Sequence, residues 1–206
     1  MKGKTIYVIG GTNGVGKSAI YKDILKEAKA TDVPYINADF IAKEIAGGKQ
    51  FNDHQYEIAQ QFSTAQIKNL MAAGKSFALE NNMHEEFSYE WLQNTQEHIG
   101  YRIELFYIGV EDLDIANDRI QLRLKNGDHY VPEDQVRSRY ENGLKLLEKY
   151  SKMPDRVILY DNTFDHIECL KIEKGLVVSR VENLPAWVKH FSEAIEAKKD
   201  LALNKG

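Results

Sequence analysis

Between residues 10 and 18 the chain reads GGTNGVGKS, four glycines with a lysine and a serine directly behind them. Gly11, Thr12, Asn13, Gly14, Val15, Gly16, Lys17 and Ser18 satisfy the pattern G-x-x-x-x-G-K-[ST] in full. Glycines in such a run let consecutive backbone N–H groups turn inward and form an anion-binding hollow. A helix that opens straight after them adds the partial positive charge of its N-terminus. In this pattern Lys17 reaches the β- and γ-phosphates of a nucleoside triphosphate and Ser18 ligates Mg²⁺. These eight residues are the predicted nucleotide-binding loop.

A phosphate loop serves hydrolysis, switching and transfer alike, so the other polar residues have to decide. The chain holds no N-K-x-D for guanine, no D-x-x-G after the third strand and no L-S-G-G-Q. A GTPase switch and a transporter-type ATPase are disfavoured. What remains is a phosphotransferase, or a protein whose bound nucleotide governs a partner interface. Asp39, in INADFIAKEIAG, follows a short strand. It is either the base and substrate ligand that accepts the proton of an attacking hydroxyl, or the cap of the next helix. Asn37 is expected to stabilise the turn before it. Glu80 ends the apolar run SFALE. It either contacts the metal's water shell or the acceptor, or is an ordinary solvated strand end. Asn81, Asn82 and His84 follow as candidates for the acceptor pocket, and no second His or Cys stands at zinc-ligand spacing from His84.

Arginines gather in one stretch. Arg119 and Arg123 are four apart on one helix, and Arg137 and Arg139 lie beyond the polar segment KNGDHYVPED. Planar guanidiniums clamp phosphate by several donors at once. On two helices joined by the turn at Gly127 and Asp128, the four are expected to close over nucleotide as a lid, with Arg123 and Arg137 in catalytic roles. The alternative is a set of surface ion pairs with Glu133, Asp134 and Glu141. In LYDNT, Asp161 and Asn162 either touch the adenine or position the loop beneath it, or they form a simple turn.

These residues need elements to hold them. TIYVI, VPYIN, SFALE, YRIELFYIGV and RVILYD read as strands, and HIECLKIEKGLVVSRV as a hairpin about Lys174-Gly175. Helices are predicted after the glycine loop, from about residue 39, across 53–73, and behind a Ser88 cap. Further helices carry Leu113, Ala116, Ile120 and Leu124, then Val136, Tyr140, Leu144 and Leu147, and finally Leu184, Trp187, Phe191 and Ile195. Alternating β and α elements imply a mostly parallel sheet covered on both faces, with ligands at the carboxyl ends of its strands. The 206 residues are expected to form a single domain, with the hairpin and last helix appended from about residue 166.

The net charge of −4 and the 43% hydrophobic content suit a protein with a substantial core, and argue against nucleic acid or anionic membrane as main partner. The single cysteine, Cys169, reads as a core or half-buried strand residue and fits a reducing cytosol. The opening MKGKTIYVIGG is too short in apolar residues for a signal peptide or membrane helix, so a cytoplasmic location is expected.

In this order, GGTNGVGKS, INADFIA, GKSFALE, RIQLRLKNGDHYVPEDQVRSRYENGL and LYDNT resemble the zeta-toxin-like family of P-loop kinases, over roughly residues 5–165. The resemblance implies a three-layer α/β/α fold with strand order 2-3-1-4-5, and ATP with Mg²⁺ as phosphate donor. It implies that Asp39 matches the proposed base and that the arginines of 119–139 match the phosphate clamp. Zeta toxins phosphorylate the 3′-hydroxyl of the sugar in UDP-N-acetylglucosamine, which implies a small-molecule acceptor. This chain departs from them in FIAKEIAGG after Asp39 and in NNMHEE after Glu80. No antitoxin segment is evident within the chain.

Overall fold

The computed structural model describes residues 3–125 and 131–203. Its chain runs β1 (Thr5–Gly10), α1 (Lys17–Glu27), β2 (Tyr35–Ile36), α2 (Ala38–Ile45), α3 (Asp53–Ala72), β3 (Phe77–Asn81) and α4 (Glu86–Asn94). It continues with β4 (Arg102–Gly109), α5 (Leu113–Lys125), α6 (Glu133–Lys149), β5 (Arg156–Asp161), β6 (Ile167–Glu173), β7 (Leu176–Arg180) and α7 (Ala186–Leu203). The strands form one sheet in the order β2-β3-β1-β4-β5-β6-β7. β1 to β5 pair in parallel, in the order 2-3-1-4-5, and β6 and β7 continue the sheet antiparallel. The hairpin therefore extends the sheet itself: Val157 pairs with Ile172 and Leu159 with Leu170.

Period-two alternation along the strands builds a core on each face. Ile103, Leu105 and Tyr107 of β4 point to one side, with Ile6, Val8, Leu79 and Leu159. α4, α6 and α7 cover that side through Tyr89, Leu92, Leu147, Trp187, Phe191 and Ile195. Phe106 and Ile108 point to the other side, against Ile20 and Ile24 of α1, Ala116 and Ile120 of α5, and Val136 of α6. β1 and β4 lie in the middle, buried from both faces, which is why both read as near-continuous apolar runs. Cys169 belongs to the first core and is a free thiol.

One local expectation shifts. Ser88 does not cap α4, which opens at Glu86 after Glu85, so Ser88 lies inside the first turn and its N–H donates to the Glu85 carbonyl. The helix over 53–73 starts at Asp53 behind an Asn52–Gln55 capping box. The turn that carries Gly127 and Asp128 lies outside the described residues. Among the described residues no helix is long and apolar enough to cross a membrane.

Trp187, near the start of α7, fastens that helix to the carboxyl edge of the sheet. The Trp187 indole lies against Gly109, the last residue of β4, and its Nε1–H donates to Asp161 Oδ2 at the end of β5 at 2.8 Å. A Cβ on Gly109 would stand 2.6 Å from the indole Cζ2. Gly109→Ala should therefore lower stability by about 1–3 kcal/mol, the usual penalty for overpacking, and depress the melting temperature by several degrees. A melting curve identical to the native one would contradict this packing.

Candidate active site

The glycine loop joins β1 to α1 at the carboxyl edge of the sheet. It is packed from below. Val15 is fully buried, and Thr12 is buried with its hydroxyl donating to the Val136 carbonyl of α6 at 3.4 Å. Their side chains anchor the loop to the structure beneath it. Gly14 and Gly16 adopt φ of +80° and +94°, a region that glycine enters without strain. A Cβ on Gly14 would also run into the Ala116 carbonyl of α5, and one on Gly16 into the Asn162 amide. The glycine spacing thus records how closely the loop sits on α5 and β5.

Lys17 is the first residue of α1 and is 6% exposed. Its ammonium donates to the carbonyls of Gly11 at 2.7 Å and Thr12 at 2.9 Å, and to Asn82 Oδ1 at 3.0 Å. Glu80 Oε1 stands 3.8 Å away. Burial pushes the lysine pKa down; the charges of Glu80 and then Asp39 oppose that shift, while Arg123 and Arg139 add to it. Glu80, in turn, collects donors. Its Oε2 accepts from Tyr35 Oη at 2.5 Å, from Asn37 Nδ2 at 2.8 Å and from Ser18 Oγ at 3.0 Å. A carboxylate with three donors and a neighbouring ammonium is an organised site, unlike a solvated strand end.

Asn37 and Asp39 divide their duties. Asn37 is the cap of α2, its Oδ1 accepting the N–H groups of Asp39 at 2.8 Å and Phe40 at 3.2 Å. Asp39 falls in the first turn, where capping does not call on its carboxylate. Its charge is felt by Lys17 and by the Tyr56 phenol.

The four arginines are not brought together as one clamp. Arg139 donates to Asn13 Oδ1 at 2.8 Å, and Asn82 Nδ2 donates to the same oxygen at 3.2 Å, so Asn13 joins the loop to α6 and to the end of β3. Arg123 is exposed, and its charge reaches Lys17. Arg119 turns to the end of β5 and donates to the carbonyls of Asn162 at 2.9 Å and Thr163 at 3.2 Å. Arg137 is exposed, and two residues of α-helix set it about 200° around from Arg139. Asn162 is buried with its amide donating to the Val15 carbonyl at 2.8 Å, beneath the loop.

Two tyrosines also join the site. Tyr35 stacks on Tyr21 with ring centroids 3.9 Å apart and gives its hydroxyl to Glu80; burial first, and then Glu80, push its own pKa up. Tyr56, near the start of α3, has its pKa raised by burial and then by Asp39, and also feels Arg139 and Glu80. Both tyrosines are distant in sequence from the loop, and no spacing signals them. His84 is half-buried, with its pKa lowered by burial and by the Arg139 and Lys17 charges against the opposing pull of Glu85.

Residues 2–171 match the family model described as Zeta toxin. An uncharacterized protein of Haemophilus influenzae is 27% identical over 151 residues, covering 68% of this chain and 94% of that protein. Among solved structures, AvrRxo1-ORF1:-ORF2 with ATP superposes at a TM-score of 0.67 and 14% identity over 94% of this chain, which spans 64% of that one. The PezAT chromosomal toxin–antitoxin system of Streptococcus pneumoniae gives 0.65 at 14% identity, covering 98% of this chain and 88% of that one. At these identities the structural likeness is one of fold.

The pairing of Lys17 with Glu80 has a measurable consequence. Glu80→Gln keeps the size but removes the carboxylate charge 3.8 Å from the buried ammonium. It should destabilise the protein by about 2 kcal/mol, below the usual cost of orphaning a buried charge because three hydrogen bonds remain. Lys17→Met combined with Glu80→Gln should recover part of that loss in a denaturant melt. Additive losses would show that the two charges are not coupled.

Proposed function

Because the chain belongs to the zeta toxin family, we propose that it is an ATP-dependent phosphotransferase that moves the γ-phosphate to a hydroxyl of a small molecule. The observation that carries this reading is the buried Lys17, held among loop carbonyls, Asn82 and Glu80 at the head of α1. A desolvated ammonium beside inward-turned N–H groups attracts the β- and γ-phosphates far more strongly than one in water. The residues present also fit Mg²⁺. Ser18 Oγ and the Glu80 carboxylate offer hard oxygen donors at one spot, and a small cation that keeps several waters needs little more from the protein. Among the described residues no group of three or more His, Cys, Asp or Glu could hold a metal, so a closed all-protein cage is not the arrangement. When bound, Mg²⁺ would neutralise charge on the phosphate oxygens.

The chain's own groups supply the rest. Asp39 takes the proton of the acceptor hydroxyl as its oxygen bonds to the γ-phosphorus, and the bond to the β-phosphate oxygen breaks to release ADP. Lys17 holds the transferring group, and Arg139 and Arg123 add positive charge near it. Phe40, exposed and edge-on to the Tyr21–Tyr35 stack, offers an aromatic surface beside Asp39. That surface supports an acceptor with a ring or sugar face, a sugar nucleotide such as UDP-N-acetylglucosamine among them. PezAT, which shares the fold, is a toxin–antitoxin system. An antitoxin partner for this chain is a proposal that rests on that likeness.

Asp39→Asn should leave ATP affinity unchanged and lower turnover roughly 10²–10⁴-fold, the usual contribution of a general base. A screen of hydroxyl compounds with γ-labelled ATP checks both the acceptor class and this loss. ATP binding with label passed to no small molecule would overturn the transferase reading, and collapse of ATP binding in the variant would remove Asp39 from the role of base.

A further inference from the structure

The segment Asp161-Asn162-Thr163, at the end of β5 and just past it, is gripped from every side. The Asn162 N–H donates to the Gly109 carbonyl at 2.9 Å and its own carbonyl accepts from Arg119 at 2.9 Å. Asp161 Oδ1 accepts the Thr163 N–H at 3.1 Å, which closes a tight turn around Asn162. Asp161 Oδ2 accepts the Trp187 indole N–H at 2.8 Å, and the pair is buried. A second tie runs alongside, from the Glu111 N–H to Thr163 Oγ1 at 2.9 Å and from the Ala186 N–H to Glu111 Oε1 at 3.3 Å. From this fixed turn the Asn162 amide reaches the Val15 carbonyl at 2.8 Å, so close that Gly16 has no room for a Cβ.

A trans peptide points its C=O and the next N–H in opposite directions. By holding the Val15 carbonyl down toward β5, Asn162 turns the Gly16 N–H the other way, toward the hollow of the loop. On the reading that this loop holds the phosphates, we infer that Asn162 is a positioning residue for the nucleotide, and that Trp187 of α7 acts on the loop through Asp161 and Asn162. α7 lies beyond residue 171, where the family match ends. The C-terminal helix thereby sets nucleotide affinity without touching nucleotide. Arg119 belongs to the same structure: its guanidinium braces the turn.

Binding of a fluorescent ATP analogue with Mg²⁺ tests this without any acceptor. Asn162→Ala should weaken binding by about tenfold, the worth of one ordering hydrogen bond. Trp187→Phe keeps an aromatic ring and removes the N–H, and should weaken binding by roughly threefold, a fraction of that hydrogen bond's worth. In the Asn162→Ala background, Trp187→Phe should add no further loss, since its effect passes through Asn162. Ile195→Ala empties core volume on the same helix, away from Asp161, and should lower the melting temperature while leaving affinity native. Native affinity in Asn162→Ala overturns the inference. So does a Trp187 effect that adds to the Asn162 effect, or one matched by Ile195→Ala. Lys17→Ala separates the premise from the inference: if it binds the analogue as the native protein does, the loop is not the phosphate site; if it loses binding while Asn162→Ala does not, only the strut is wrong.

Discussion

Lys17 is a charged group taken almost entirely out of water, and an unpaired ammonium in that position would cost several kcal/mol. The surrounding structure is arranged to make its burial tolerable. β1 and β3 lie side by side so that Ile9 pairs with Glu80 and Gly10 with Asn81. That register brings the carboxylate and the Asn82 amide to the head of α1. The β1–α1 loop bends its first two carbonyls back onto the ammonium. Glu80 is then held by Tyr35, Asn37 and Ser18, which ties β2, α2 and α1 to one oxygen atom. A charge held in this way loses little further hydration when phosphate replaces one of its partners, and the low dielectric around it strengthens the new contact.

The same edge of the sheet carries a second support. Trp187 of α7 donates to Asp161, and the next residue along the chain, Asn162, donates to the loop. The ionic arrangement sits on the β3 side and the amide arrangement on the β5 side. The loop lies between them, with Asn13 linking it to α6 through Arg139. The sheet's crossover topology puts all of these groups at the carboxyl ends of its strands.

Much of this fold could be read from the chain because its signals are local. The strand, glycine run and helix of residues 5–27 announce themselves by period and motif, and β4 by eight residues that are apolar or β-prone almost throughout. The full width of the sheet was less legible. A hairpin following β5 has the same alternation whether it stands apart or pairs with Val157 and Leu159, and only the tertiary register distinguishes them. At the site, Lys17, Ser18 and Glu80 were marked by motif and strand end. The arginines were marked by their clustering in one stretch and by the i, i+4 spacing of Arg119 and Arg123, which do not fix where each side chain ends: a helix sends Arg137 and Arg139 to different faces, and Arg119 satisfies backbone carbonyls that no pattern reveals. Tyr35 reaches Glu80 across 45 residues of sequence and Trp187 reaches Asp161 across 26. Side chains that meet only through folding leave no spacing to read.

Phosphate binding in the loop at residues 10–18 is tested by a crystal structure with a non-hydrolysable ATP analogue and Mg²⁺. The expected result is β- and γ-phosphates in the hollow of the loop, Lys17 Nζ shifted from the Thr12 carbonyl onto a γ-phosphate oxygen, and the Asp39 carboxylate facing the γ-phosphorus. Nucleotide bound elsewhere, or Lys17 still on its carbonyls with the phosphates beyond its reach, would contradict it.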